Sequence, residues 1–163
     1  MQSIKFSVFD QRKTWKAGQE MKLNRKRKYP GLTLLGSSRK AFPASPQKAR
    51  LETFTNPFPR RDYSIRIDSP DFTSLCPVTG QPDFAEIFIE YVPDQKCVET
   101  KSLKLYLSSY RNVPSFNEDV INRILDDLVK VCRPRRMKVE GRFAARGGLS
   151  LSVIAEHPGS SPI

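Results

Sequence analysis

The apolar residues of this chain change their period twice, and that change limits the fold more than any other feature. Residues 63–68 (Tyr-Ser-Ile-Arg-Ile-Asp) alternate apolar and polar, the period of a half-buried strand. Residues 84–92 alternate again, with Glu86, Phe88 and Glu90 on one face and Ile87, Ile89 and Tyr91 on the other. Past Thr100 the spacing becomes helical. Leu103, Tyr106, Leu107 and Tyr110 share a stripe, and Lys101 and Lys104 share another face of the same short helix. Ser115 is expected to open a stronger helix with the stripe Val120, Ile121, Ile124, Leu125, Leu128 and Val129, ended by Pro134. Ser115-x-x-Glu118 reads as its capping box. Strand patterns return over residues 137–143 and 149–154, around Arg146-Gly147-Gly148. Strand, strand, helix, helix, strand, strand is an α+β order, an antiparallel sheet backed by helices.

Charge is spread as unevenly as periodicity. Residues 1–52 hold thirteen Lys/Arg against three acidic groups, whereas residues 53–163 hold fifteen against fourteen. Almost all of the net +11 therefore belongs to an arm, centred on Lys22-Leu23-Asn24-Arg25-Lys26-Arg27-Lys28, and the remainder is nearly neutral. A length of 163 residues fits one domain with a proper core. The expected organisation is a basic, disordered arm and lead-in over 1–52, a folded domain over 53–155 and a flexible tail over 156–163. Any nucleic-acid contact is expected to be weak and to run through the arm. Met21 offers an alternative start. No run approaches bilayer length, so no membrane association is expected, and the N-terminus lacks the apolar core of a secretory signal. Cys76, Cys97 and Cys132 form an odd, sparse set without Cys-x-x-Cys, which points to a reducing cytoplasm and not to a disulfide framework.

Between the first two strands lies Leu75-Cys76-Pro77-Val78-Thr79-Gly80-Gln81-Pro82-Asp83, stiffened by two prolines and a glycine. Such a loop is a reasonable way to fix two reactive side chains. Taken alone, Cys76 reads first as a small buried hydrophobe, as most free cysteines are, and Asp83 has the alternative of a turn residue capping a strand start. Two further motifs follow: Val98-Glu99-Thr100-Lys101-Ser102-Leu103-Lys104-Leu105-Tyr106 and Phe116-Asn117-Glu118-Asp119. The chain's one histidine, His157, sits in the expected tail. With no cluster of His, Cys and Glu ligands, no metal is expected. There is no Gly-x-Gly-x-x-Gly, so a dinucleotide would not sit on a Rossmann unit.

Together, in this order and spacing, the three motifs resemble the NADPH-dependent 7-cyano-7-deazaguanine reductases of queuosine biosynthesis, over roughly residues 31–152. The resemblance implies a tunnelling fold: a four-stranded antiparallel sheet with two helices on one face, oligomerising into a barrel. It implies reduction of a nitrile by two NADPH through a cysteine thioimide. Cys76 would be the nucleophile and Asp83 the proton donor. Glu99 and Glu118, with Val98, Thr100 and Asn117, would hold the deazapurine. Lys101, Ser102, Lys104 and Arg146 would bind the cofactor. One departure stands out: family members carry Phe-His-Glu-Asp, and here Asn117 replaces the histidine, so this position cannot titrate near neutral pH.

The residue types suit that chemistry. A nitrile carbon is a weak electrophile until a thiolate adds to it, and an unperturbed cysteine, of pKa about 8.5, is mostly protonated at pH 7. A carboxylate accepts two N–H groups of a guanine-like base in one plane, and lysine ammonium groups bind phosphates as point charges. Two alternatives remain at this level. One is an amidine-forming transferase, which attacks the nitrile but ignores NADPH. The other is a non-catalytic deazapurine-binding protein whose basic arm contacts RNA.

Overall fold

The computed structural model describes residues 32–34 and 42–158. The basic arm at residues 22–28 and the tail beyond Pro158 lie outside the described residues. In chain order the elements are β1 (Thr53–Thr55), β2 (Ile65–Leu75), β3 (Pro82–Val92), β4 (Lys96–Val98), α1 (Thr100–Ser108), α2 (Asn117–Cys132), β5 (Arg136–Arg146) and β6 (Leu149–His157). A four-stranded antiparallel sheet runs β2-β3-β5-β6, and β1 pairs with β4 in a small second sheet.

Alternation decides which face is covered. Ala85, Ile87, Ile89 and Tyr91 of β3 and Met137, Val139 and Phe143 of β5 are buried in one cluster with Leu103, Tyr106 and Leu107 of α1. The stripe of α2, Val120, Ile121, Ile124, Leu125 and Leu128, completes that cluster. Both helices therefore lie on one face, as the periodicity predicts. Gly141 lets α2 approach the sheet: a Cβ there would collide with the Ile121 side chain. The other face carries Arg66–Glu90 at 3.1 Å, Arg142–Glu140 at 2.6 Å, and Arg142 over the Phe88 ring at 4.6 Å.

Three expectations need correction. The lead-in, expected to be disordered through residue 52, is anchored to the fold at Thr33, Leu34 and Glu52. Buried Glu52 accepts the N–H groups of Thr33 and Leu34 at 2.9 and 3.2 Å, and its own N–H donates to Ser102 Oγ. Burial pushes the Glu52 carboxyl up, but the Thr33 hydroxyl and the two N–H groups outweigh it and hold it below its ordinary range. The folded part also extends past 155, because β6 continues to His157, which pairs with Met137. Finally, Ser115 does not cap α2. Its N–H already donates to Leu75 O, its hydroxyl donates to Asp119, and the helix starts after Phe116 without a side-chain cap. Asp119 and Glu118 in the first turn still favour the helix dipole.

Candidate active site

Residues 76–81 form a closed turn. Cys76 N–H donates to Gln81 O at 2.8 Å and Gly80 N–H to Cys76 O at 2.9 Å. Gly80 has φ +69°, a left-handed conformation that a side chain would strain. Immediately before the turn, Leu75 N–H donates to Val113 O at 3.1 Å and Leu75 O accepts from Ser115 N–H at 3.0 Å. This parallel bridge, between Leu75 and Pro114, brings the start of α2, with Asn117, to the nucleophile turn.

Within the turn the half-exposed Cys76 thiol is pulled down to about 7. The largest cause is the Thr79 hydroxyl, followed by the N–H groups of Thr79 and Val78. Desolvation opposes them and the Arg146 side chain adds a smaller pull downward. Asp83, the second residue of β3, is buried, and Arg146 Nε lies 3.0 Å from its Oδ1. Arg146 also donates to Pro82 O at 3.2 Å. It reaches this place from the β5–β6 hairpin, whose two-residue turn needs positive φ at Gly147 and Gly148 (+56° and +84°). Cys76, Asp83 and Arg146 therefore form one group. Arg146 stands beside the proposed nucleophile, which the cofactor role expected for it does not require.

The second motif divides between fold and site. Glu99 is buried and caps α1, its two oxygens accepting the N–H groups of Lys101 at 2.9 Å and Ser102 at 2.7 Å. Each oxygen keeps capacity for another donor. Val98 is a core residue whose N–H donates to Tyr91 Oη at 3.0 Å. Ser102 is fully buried; its hydroxyl donates to Glu99 O and accepts from Glu52 N–H, so that side chain serves the fold. Thr100 and Lys104 line a groove of about 270 Å³ between α1 and the bulged stretch Ser69 to Phe72 of β2. Lys101 is half-buried one residue on from Thr100. Glu118 is exposed, and Asn117 buries its Oδ1 without a hydrogen-bond partner. Among the described residues no three His, Cys, Asp or Glu side chains gather as a metal site, and no helix is long and apolar enough to cross a membrane.

Sequence reasoning missed Thr79 as the main support of the thiol, although it lies inside the quoted motif. The available signal was the closed Cys-Pro-x-Thr-Gly turn, which returns residue 79 to residue 76.

The family model described as "QueF-like protein" matches residues 82–161. Curated relatives named NADPH-dependent 7-cyano-7-deazaguanine reductase include one from Nitrosococcus oceani. It is 58% identical over 116 residues, covering 71% of this chain and 89% of the relative. Another, from Magnetococcus marinus, is 54% identical over 112 residues, covering 69% and 88%. The solved apo structure of the archaeosine synthase QueF-Like superposes with a TM-score of 0.57 at 23% identity, covering 60% of this chain and 96% of that one, and supports the fold alone. With more than half of the aligned residues identical across nearly the whole length of such relatives, the chain belongs to the family of NADPH-dependent 7-cyano-7-deazaguanine reductases.

Proposed function

We propose that this chain reduces the nitrile of 7-cyano-7-deazaguanine to the aminomethyl group of 7-aminomethyl-7-deazaguanine with two NADPH, in the making of queuosine for tRNA. The observation that carries the reading is the 76–81 turn, which brings the Cys76 thiol to about 7 beside Asp83 and Arg146. Near pH 7 about half of such a thiol is thiolate. The Cys76 sulfur adds to the nitrile carbon, and Asp83 delivers a proton to the nitrile nitrogen, giving a thioimide. Glu99, through its remaining acceptor capacity, and Glu118 grip the N–H edge of the base, with Asn117 Oδ1 as a further acceptor. Thr100 and the backbone of Val98 flank it.

NADPH, when bound, supplies the two hydrides. The cationic side chains of α1 fit its phosphates: Lys104 beside the groove at Thr100, and Lys101 three positions earlier on the same helix. Among the described residues, β2 and β6 each pair on one side only. We propose that copies of the chain join these edges into a closed oligomer, which removes the exposed ladders. Three free thiols and the use of NADPH fit the cytoplasm.

The test is NADPH oxidation, followed by absorbance, with purified protein and 7-cyano-7-deazaguanine. Two NADPH per nitrile are expected, and Cys76→Ala should lose both turnover and the covalent adduct. Nitrile-dependent oxidation surviving in that variant would remove Cys76 from the mechanism. An adduct without oxidation would instead favour a binding protein or a transferase.

A further inference from the structure

Two side-chain atoms among the described residues are buried without a hydrogen-bond partner, Asn117 Oδ1 and Ser74 Oγ. The first already belongs to the proposed substrate contacts. The second has no assigned role, and Ser74 has 0% of its surface exposed. A buried hydroxyl without a protein partner carries a desolvation penalty, so its retention calls for an explanation, and a role in the reaction is one. Position indicates which partner. Ser74 lies directly opposite Asp83 in the β2–β3 ladder. Residues so paired share a face of the sheet, with Cβ atoms about 4.5–5.5 Å apart. Phe72 and Ala85, the next pair along this face, are buried in the core, and Cys76 follows Ser74 by two residues. The hydroxyl therefore sits at the floor of the site, beside the acid and just before the nucleophile.

We propose that Ser74 is a further catalytic residue, whose Oγ accepts the N–H of the thioimide while its own O–H donates to Asp83. The inference rests on the assignment of Cys76 and Asp83 made above. When the Cys76 thiolate forms the C–S bond, one π pair of the nitrile moves to nitrogen, and nitrogen takes the Asp83 proton. That step creates one new donor, the imide N–H, and leaves Asp83 beside it as a carboxylate acceptor. A single hydroxyl between them satisfies both and fixes the plane of the C=N bond for reduction. The imide N–H does not exist before the nitrile arrives, so the hydroxyl has no substrate partner in the free chain. Arg146 already occupies Asp83 Oδ1, leaving the other oxygen for Ser74.

The experiment compares wild type, Ser74→Ala, Ser74→Cys and Ser74→Thr in two assays. Without NADPH, intact mass reads the Cys76 adduct; with NADPH, steady-state kinetics read kcat and KM. Ser74→Ala and the near-isosteric Ser74→Cys should form the adduct yet lose roughly 10- to 100-fold in kcat, the effect of one charge-assisted hydrogen bond. Ser74→Thr, which keeps a hydroxyl, should retain most of the rate. Ser74→Ala should melt no lower than wild type, because it removes an unpartnered polar atom. Unchanged kcat in the Ala and Cys variants overturns the proposal, as does loss of the adduct in them alone, which would place Ser74 at the addition step. A wild-type chain that forms no adduct overturns the Cys76 reading itself, and this inference with it.

Discussion

The acidity of the Cys76 thiol depends chiefly on a hydroxyl three residues further on, and that dependence is measurable. Lowering pH through about 7 protonates the sulfur and removes the nucleophile, so alkylation by iodoacetamide should fall steadily below that point. In Thr79→Val the inflection should move up toward the ordinary cysteine value of about 8.5, slowing alkylation at pH 7 roughly three- to tenfold. An inflection that stays near 7 would remove Thr79 from its role. Glu99 offers a second separation, between holding a helix and holding a base. Glu99→Ala should lose about 1 kcal/mol of stability through the cap, measured by thermal melting. Glu99→Asp, a good capping residue with shorter reach, should keep stability and still raise KM for the nitrile. Equal stability and equal KM in Glu99→Asp would sink the substrate role. At this scale the motifs picked out the candidate residues but said less of what contacts each one makes. Cys76 and Asp83 carry a chemical signature of their own. Glu99 as a cap, Ser102 as a buried tether and Ser74 as an unpartnered hydroxyl depend on neighbours 2 to 50 residues away along the chain.

The long elements were legible because each repeats one signal many times. The stripe of α2 and the alternation of β3 bury the residues their periods select. The short ones were not. The strands β1 and β4 have three residues each, too few for a period, and they exist because Thr53 to Thr55 meet Lys96 to Val98 in space. The capping box at Ser115 failed for a related reason: a tertiary partner, Leu75 O, takes the N–H that Glu118 would have bonded. Gly141 gives the prediction that belongs to elements. In Gly141→Ala the new methyl must displace Ile121, which is fully buried, so α2 or its side chain has to shift. A loss of about 1–3 kcal/mol in denaturant unfolding is expected, typical of overpacking. A neutral result would mean that the helix–sheet seam is looser than its contacts indicate.

Along the sequence, most of the net charge and the candidate site residues lie in different parts. The part of the chain beyond residue 52 is nearly neutral, whereas the first 52 residues carry most of the net charge. A chain lacking residues 1–31 is expected to keep its NADPH oxidation and to elute from a polyanion column at lower salt. Loss of activity on that truncation would tie the arm to catalysis. Light scattering on the eluted protein should give a mass of several chains, and a lone chain would contradict edge-to-edge closure of β2 and β6. The fold class and the helix-covered face followed from periodicity, while the anchoring of Thr33 and the pairing of His157 did not. Each depends on a partner, Glu52 or Met137, that no local pattern announces. The bridge at Leu75 has a consequence of another kind. One residue, Leu75, fastens the end of β2 to the connector between the helices, its N–H donating to Val113 O and its C=O accepting from Ser115 N–H. A residue gained or lost between Tyr110 and Pro114 would put both bonds out of step and shift the start of α2 relative to the 76–81 turn. The number of residues in that connector is therefore as much a determinant of reactivity as any side chain in the site.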